Sequence, residues 1–257
     1  MPIKVNVKKL SKKNIIIISA LAVLLIIITI VAVAVTSKKP VQSDFFNTNE
    51  KFVSGIDVSQ HNGKIDWDKV SEATDFAIIR VGYRGYGNGA LAEDSRYAEN
   101  LENAENKDMP IGVYFYTQAT TIEEAEEEAE YVLNLIKPYD IELPVFIDFE
   151  YPYDADGKHT GRMFEANLSG KEAADILNAF CRKIIANGHH AGIYSSSNVL
   201  NFDIKTSAID KDIFIWVADY NSKITYLGRY DIWQYAKDGS CDGVNSKYVD
   251  LNKWYLQ

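Results

Sequence analysis

The chain has 257 residues, 47% of them hydrophobic and 25% charged, with a formal net charge of −9. Every acidic residue lies beyond position 43, so the chain after residue 40 sets 20 basic against 36 acidic side chains, a formal −16. Nucleic-acid binding needs clustered cations, and a surface of this sign excludes it. Two cysteines, Cys181 and Cys241, are too few for a disulfide scaffold and are expected as free thiols; no C-x-x-C or H-x-x-x-H spacing points to zinc, and no cofactor is expected.

In chain order, residues 1–14 form a basic tail and residues 15–35 an uncharged apolar run of 21. As a helix that run covers about 31 Å, enough for the hydrocarbon core of a bilayer. Five lysines precede it (Lys4, Lys8, Lys9, Lys12, Lys13) and two follow (Lys38, Lys39), which places the N-terminus in the cytoplasm and the remainder outside the cell. Cleavage near Ala34 would release that remainder instead, but the apolar run is longer than those of most signal peptides, so a retained signal anchor is the expectation. Residues 36–52 read as a polar linker, and residues 53–257 as one domain, expected to be monomeric.

Eight apolar runs bounded by turn residues follow: 55–59, 76–83, 110–116, 143–150, 191–197, 214–220, 230–236 and 249–255. Their near-continuous Val, Ile, Tyr, Phe and Trp content fits strands covered on both faces. Helix-start signals occur at Thr121 with Glu124 and at Ser169 with Glu172, and Gly188 supplies a stop. The last three strands begin only 16 to 19 residues apart, too close for full crossover helices. The expected fold is therefore α/β: five β/α units and then three strands, closing an irregular TIM-like (β/α)5(β)3 barrel, with a doubly wound open sheet as the alternative.

Active sites of such barrels lie at the C-terminal strand ends. In VFIDFE the strand period puts Phe146, Asp148 and Glu150 on one face, the two acids about 6.5 to 7 Å apart at Cα. Paired carboxylates within side-chain reach suit glycoside hydrolysis, although metal ligation or an ion pair to Arg80 accounts equally for a lone D-x-E. Asp57 ends the first strand and Asp250 sits in the last, and strands one and eight are neighbours in a closed barrel. Four carboxylates then share one mouth. Aromatic residues in or just beyond the strands (Tyr83, Tyr116, Tyr151, Tyr194, Trp216, Tyr220, Trp233 and Tyr235) suit a saccharide groove, with about half expected to be core.

The segments GIDVSQHNGKIDWDKV, FAIIRVGY, FIDFE, IWVADY and WQYAKDGSCDGVNSKYVDLNKW together resemble glycoside hydrolase family 25, the muramidases called Chalaropsis-type lysozymes, from Gly55 to about Tyr255. The resemblance implies hydrolysis of the β-1,4 bond between N-acetylmuramic acid and N-acetylglucosamine in peptidoglycan, with net retention. By motif, Glu150 resembles the general acid, Asp148 its partner, and Asp57 and Asp250 the remaining acids. Substrate contacts are expected from Tyr83, Tyr116, Tyr151, Tyr194, Trp216, Tyr220, Gln234, Asn252 and His61. Family 18 chitinases share the D-x-E strand end but carry a further Asp where this chain has Phe146.

Other signals carry less. The glycine-rich stretch 82–89 lacks dinucleotide-loop spacing, and the acidic run 123–130 reads as a solvated helix face. His189 and His190 read as surface residues at the far end of the barrel, and Asn167 heads a formal glycosylation sequon. The rival functions are a membrane-anchored wall-glycan binder without turnover and a metal-dependent deacetylase.

Overall fold

The computed structural model describes residues 45–256. The apolar run 15–35, the basic tail and most of the linker lie outside those residues. Among the described residues no helix is long and apolar enough to cross a membrane.

The strands are β1 (Phe52–Val58), β2 (Phe76–Arg84), β3 (Leu91–Glu93), β4 (Ile111–Tyr116), β5 (Val145–Asp148), β6 (Ala191–Ser196), β7 (Phe214–Ala218), β8 (Ile232–Gly239) and β9 (Val249–Tyr255). They form one sheet in the order β1-β9-β8-β7-β6-β5-β4-β2-β3, and a further β1–β2 pairing closes eight of them into a barrel. All eight expected strands are present, and closure excludes the open sheet. β3 is additional: it pairs antiparallel with the far end of β2 and turns the glycine-rich stretch into a short hairpin. Pairing is parallel from β1 round to β8, whereas β9 runs antiparallel to both β8 and β1.

Helices α1 (Trp67–Ala73), α2 (Tyr97–Glu105), α3 (Ile122–Ile136), α4 (Arg162–Glu165), α5 (Gly170–Ala186) and α6 (Ser197–Phe202) fill the first five connections. Thr121 caps α3 by accepting from Glu124 N, and Ser169 with Glu172 forms a full capping box on α5. Gly188, at φ +91°, follows the end of α5 in the left-handed region that favours glycine.

Strand alternation splits the core into two layers. Val145, Ile147 and Phe149 face the helices, whereas Ile78, Phe146, Phe214, Trp216, Ile232 and Trp254 fill the barrel interior. The inward face of β5 is therefore the one that carries Asp148.

Three sequence expectations change here. Glu128, in the acidic run read as solvated, is fully buried, because helical spacing places it on the inner face of α3 with Ala125, Ala129 and Val132. Its carboxylate takes hydrogen bonds from Arg84 Nε (2.7 Å) and Thr117 Oγ1 (2.6 Å), as a buried acid requires. At the N-terminal strand ends, Phe45 and Phe46, assigned to the linker, pack against Trp254 at 5.5 Å each, with Phe46 also on Phe76 and Phe45 on Phe214 and His190. His190 is accordingly half-buried rather than free on the surface. Both cysteines are free thiols. Phe46→Ala is expected to lower the unfolding free energy by about 3 kcal/mol, read by urea titration, because it opens a void among large rings; an unchanged midpoint would show that the segment only rests on the barrel.

Candidate active site

The site is built outward from Asp57, the penultimate residue of β1, which is 5% exposed. Gln234 Nε2 (2.9 Å) and Asn252 Nδ2 (2.8 Å) both donate to its Oδ2. The amides cannot be turned round without loss, because their own oxygens are occupied. Tyr194 and Tyr220 hydroxyls donate to Gln234 Oε1 at 2.9 and 2.6 Å, and Trp216 Nε1 donates to Asn252 Oδ1 at 2.9 Å. Burial pushes the Asp57 carboxyl up to about 6, and the two amides pull it back towards the anion.

Asp250 lies directly opposite Asp57 in the β1–β9 register. Although it is near the start of its strand, the reversed direction of β9 brings it to the end where β1 and β5 finish. Asp148 is the last residue of β5, flanked in register by Tyr116 and Tyr194. It is 4% exposed, and its Oδ1 has no hydrogen-bond partner. Burial, then the charges of Glu150, Asp57 and Asp250, hold it well above the usual carboxylate range, against a weaker pull from Arg80. Burial and Asp57 raise Glu150 to about 7, with Lys237 opposing. Burial, Asp57 and Glu150 raise Asp250 to about 8, again against Lys237. Four acids from β1, the β5 end and β9 therefore feel one another, and the cluster retains protons near neutrality.

Beside the acids a cleft of about 750 Å³ is lined by His61, Arg80, Tyr83, Tyr86 and Tyr116, among others. Of the expected substrate-contacting residues, Tyr83, Tyr116 and His61 line this cleft. Tyr220 is 47% exposed on the other side, with Lys237 Nζ 5.3 Å from its ring centre. Tyr151 is displaced into an aromatic cluster with Phe149, His159 and Phe164. Trp216 and Tyr194 offer no open face: Trp216 is 1% exposed, packed on Phe146, Tyr114 and Tyr194, and both contribute through the amides that hold Asp57. Gln234 and Asn252 are likewise buried against Asp57 rather than open to the groove.

Arg80 does not pair with the D-x-E acids; its Nε binds Asp94 Oδ2 at 2.8 Å. Residues that sequence reasoning did not select are Tyr86, on the turn after β2, Lys237, in the outer half of β8, and Tyr114, whose phenol is raised by burial and by the nearby Asp57, Asp148 and Asp250. Tyr114 was detectable, since it shares the face of Gly112 and Tyr116. Among the described residues no group of three or more His, Cys, Asp or Glu is arranged to hold a metal ion.

A carboxyl raised in the folded state binds its proton more tightly there than in the unfolded chain, so stability falls as pH climbs through that interval. For Glu150 and Asp250 the interval runs from about 4, the ordinary value, to the folded values of about 7 and about 8. Glu150→Gln and Asp250→Asn are therefore expected to melt higher than wild type at pH 8, with the gain shrinking towards pH 4. Equal melting temperatures at both pH values would contradict the raising of these carboxyls by burial and like charge.

The model for glycosyl hydrolases family 25 matches residues 56–244. An autolytic lysozyme of Clostridium acetobutylicum is 24% identical over 203 residues, covering 79% of this chain and 56% of the relative. The modular autolysin LytC of Streptococcus pneumoniae, solved with a synthetic peptidoglycan ligand, is 28% identical at a TM-score of 0.68, covering 81% of this chain and 48% of LytC. A family 25 glycosyl hydrolase from Bacillus anthracis shares the fold at 23% identity and a TM-score of 0.65, with 80% and 89% of the two chains covered. The chain thus spans about half the length of the autolysins it matches. The family model spans most of the chain, including Asp57, Asp148 and Glu150, and the chain belongs to glycosyl hydrolase family 25.

Proposed function

We propose that this chain is a peptidoglycan muramidase that hydrolyses the β-1,4 bond between N-acetylmuramic acid and N-acetylglucosamine with net retention. The observation that carries the reading is the meeting of Asp57, Asp148, Glu150 and Asp250 at one barrel mouth, beside a tyrosine-lined cleft. Family membership supports it, as do a relative described as a lysozyme and another solved with a peptidoglycan ligand.

In this reading Glu150, raised to about 7, is the general acid that protonates the leaving oxygen while oxocarbenium character develops at the muramic C1. Asp57, whose anion the two amides favour, provides negative potential facing that centre, with Asp250 beside it held largely protonated near neutrality. Asp148 either attacks C1 or orients the substrate's own 2-acetamido group to do so. Its environment favours the second role. A buried carboxyl crowded by three others is held towards its neutral form and is a weak nucleophile. In either route the acid returns as base to activate water, and configuration is retained. Residues 15–35 tether the enzyme to the cell membrane with the barrel outside, at its own wall.

Purified full-length protein is expected to clear a suspension of cell walls and leave N-acetylmuramic acid at the new reducing ends by mass spectrometry, with the β anomer first by NMR. Glu150→Gln is expected to lose at least about 1000-fold in rate, and wild-type kcat/KM to fall as pH rises through about 7, where the donor loses its proton. Walls that are bound yet left intact by the wild type would sink the hydrolase reading in favour of a binder. Membrane fractions should retain the mature chain with its first residues attached; a soluble form beginning near residue 35 would remove the tether.

A further inference from the structure

Glu150 is not part of the ladder that places Asp148. β5 stops at Asp148, so the residue read as the proton donor stands two positions beyond the last strand pair. Each carbonyl from Asp148 to Glu150 is nevertheless held. Thr117 N donates to Asp148 O at 3.0 Å, continuing the β4 side of the ladder, and Phe149 N donates to Tyr194 O at 2.9 Å, continuing the β6 side. Beyond that point backbone partners give way to side chains. Ser195 Oγ donates to Phe149 O at 2.6 Å, and Gln118 Nε2 donates to Glu150 O at 3.2 Å. Both side chains are wholly buried.

Gln118 is itself fixed on every side. Its Oε1 accepts from Met163 N at 3.4 Å and its carbonyl from Arg162 Nη1 at 3.3 Å, while its amide N donates to Glu128 Oε1 at 3.4 Å. Glu128 in turn holds Thr117 and Arg84, which anchors the connection from β4 to α3. The loop that returns from Glu150 to α4 comes so close that a Cβ on Gly161, whose φ is +91°, would lie 2.8 Å from Pro152 Cγ and 3.1 Å from Gln118 Oε1. The chemistry of the clamp is also specific. A Lys or Arg donor at position 118 would place a cation beside the acid cluster and depress the donor carboxyl, whereas an amide and a hydroxyl hold the backbone without charge. The nearby guanidiniums, Arg84 and Arg162, stand one step back and are matched by Glu127 and Glu128 and by Glu124.

We infer that Gln118 and Ser195 are positioning residues: they clamp the two-residue extension of β5 from opposite sides and so set where the Glu150 carboxyl stands relative to the scissile oxygen. The inference rests on the reading of Glu150 as general acid. Displacement of a donor by a fraction of an ångström affects the proton-transfer step and leaves substrate binding, which is spread along the groove, almost untouched.

The test compares full-length wild type, Ser195→Ala, Gln118→Met and Glu150→Gln on a soluble fragment of alternating N-acetylmuramic acid and N-acetylglucosamine, with melting temperature as the folding control. Ser195→Ala and Gln118→Met are each expected to lower kcat about tenfold with KM changed by less than about twofold. If Gln118→Met does not fold, Ser195→Ala decides, since it removes one oxygen and leaves the packing. A normal kcat in folded variants, or a rise in KM alone, overturns the clamp while wild-type turnover and an inactive Glu150→Gln leave the assignment of the acid standing. Turnover by Glu150→Gln at the wild-type rate overturns both.

Discussion

The reversed direction of β9 is the constraint on which the site depends. Seven strands of the barrel deliver their C-terminal ends to one mouth, and an eighth parallel strand would have carried Asp250 to the far end. Running antiparallel between β8 and β1, it instead presents Asp250 beside Asp57 and lets Asn252, two residues on and on the same face, reach the Asp57 carboxylate. The short connection from β8 to β9, which leaves no room for a crossover helix, is the signature of that reversal in the sequence.

From this arrangement follows a division of labour among like charges. Four acids this close, two buried and two half-buried, cannot all ionise, so the protein decides where the negative charge resides. Two amides, locked in orientation by Tyr194, Tyr220 and Trp216, favour the anion at Asp57. No comparable donors serve Asp148, and burial with its neighbours' charges moves it towards the neutral form. Lys237, laid over the Tyr220 ring at the rim, tempers the potential at Glu150 and Asp250 from the solvent side. Such a site opposes folding locally, and the two-layered barrel core offsets that cost.

The barrel and its acids were legible in sequence because both are written in short-range periodicity: apolar runs mark the strands, and period two places Asp148 and Glu150 on one face. What failed needed knowledge of three-dimensional neighbours. Glu128 shares a run with solvated glutamates, and only its phase relative to Ala125 and Val132, together with an arginine 44 residues away, marks it as interior. Trp216 was expected on sugar because it sits on a strand near the mouth, yet its depth along that strand makes it core. Phe45 and Phe46 stand amid polar residues without periodicity, so nothing local announced their packing. Gln118 carries no motif at all; its part depends on a loop that returns 32 residues later.

The aromatic seal beneath the barrel also fixes how force enters the molecule. Phe45 and Phe46 meet Trp254, Phe76 and Phe214 at the N-terminal ends of the parallel strands, opposite the acids. Any pull transmitted through the preceding chain therefore reaches the barrel at its closed end and is borne by packed rings and the β1–β9 ladder. The acid cluster and its groove lie at the opposite end, off that load path.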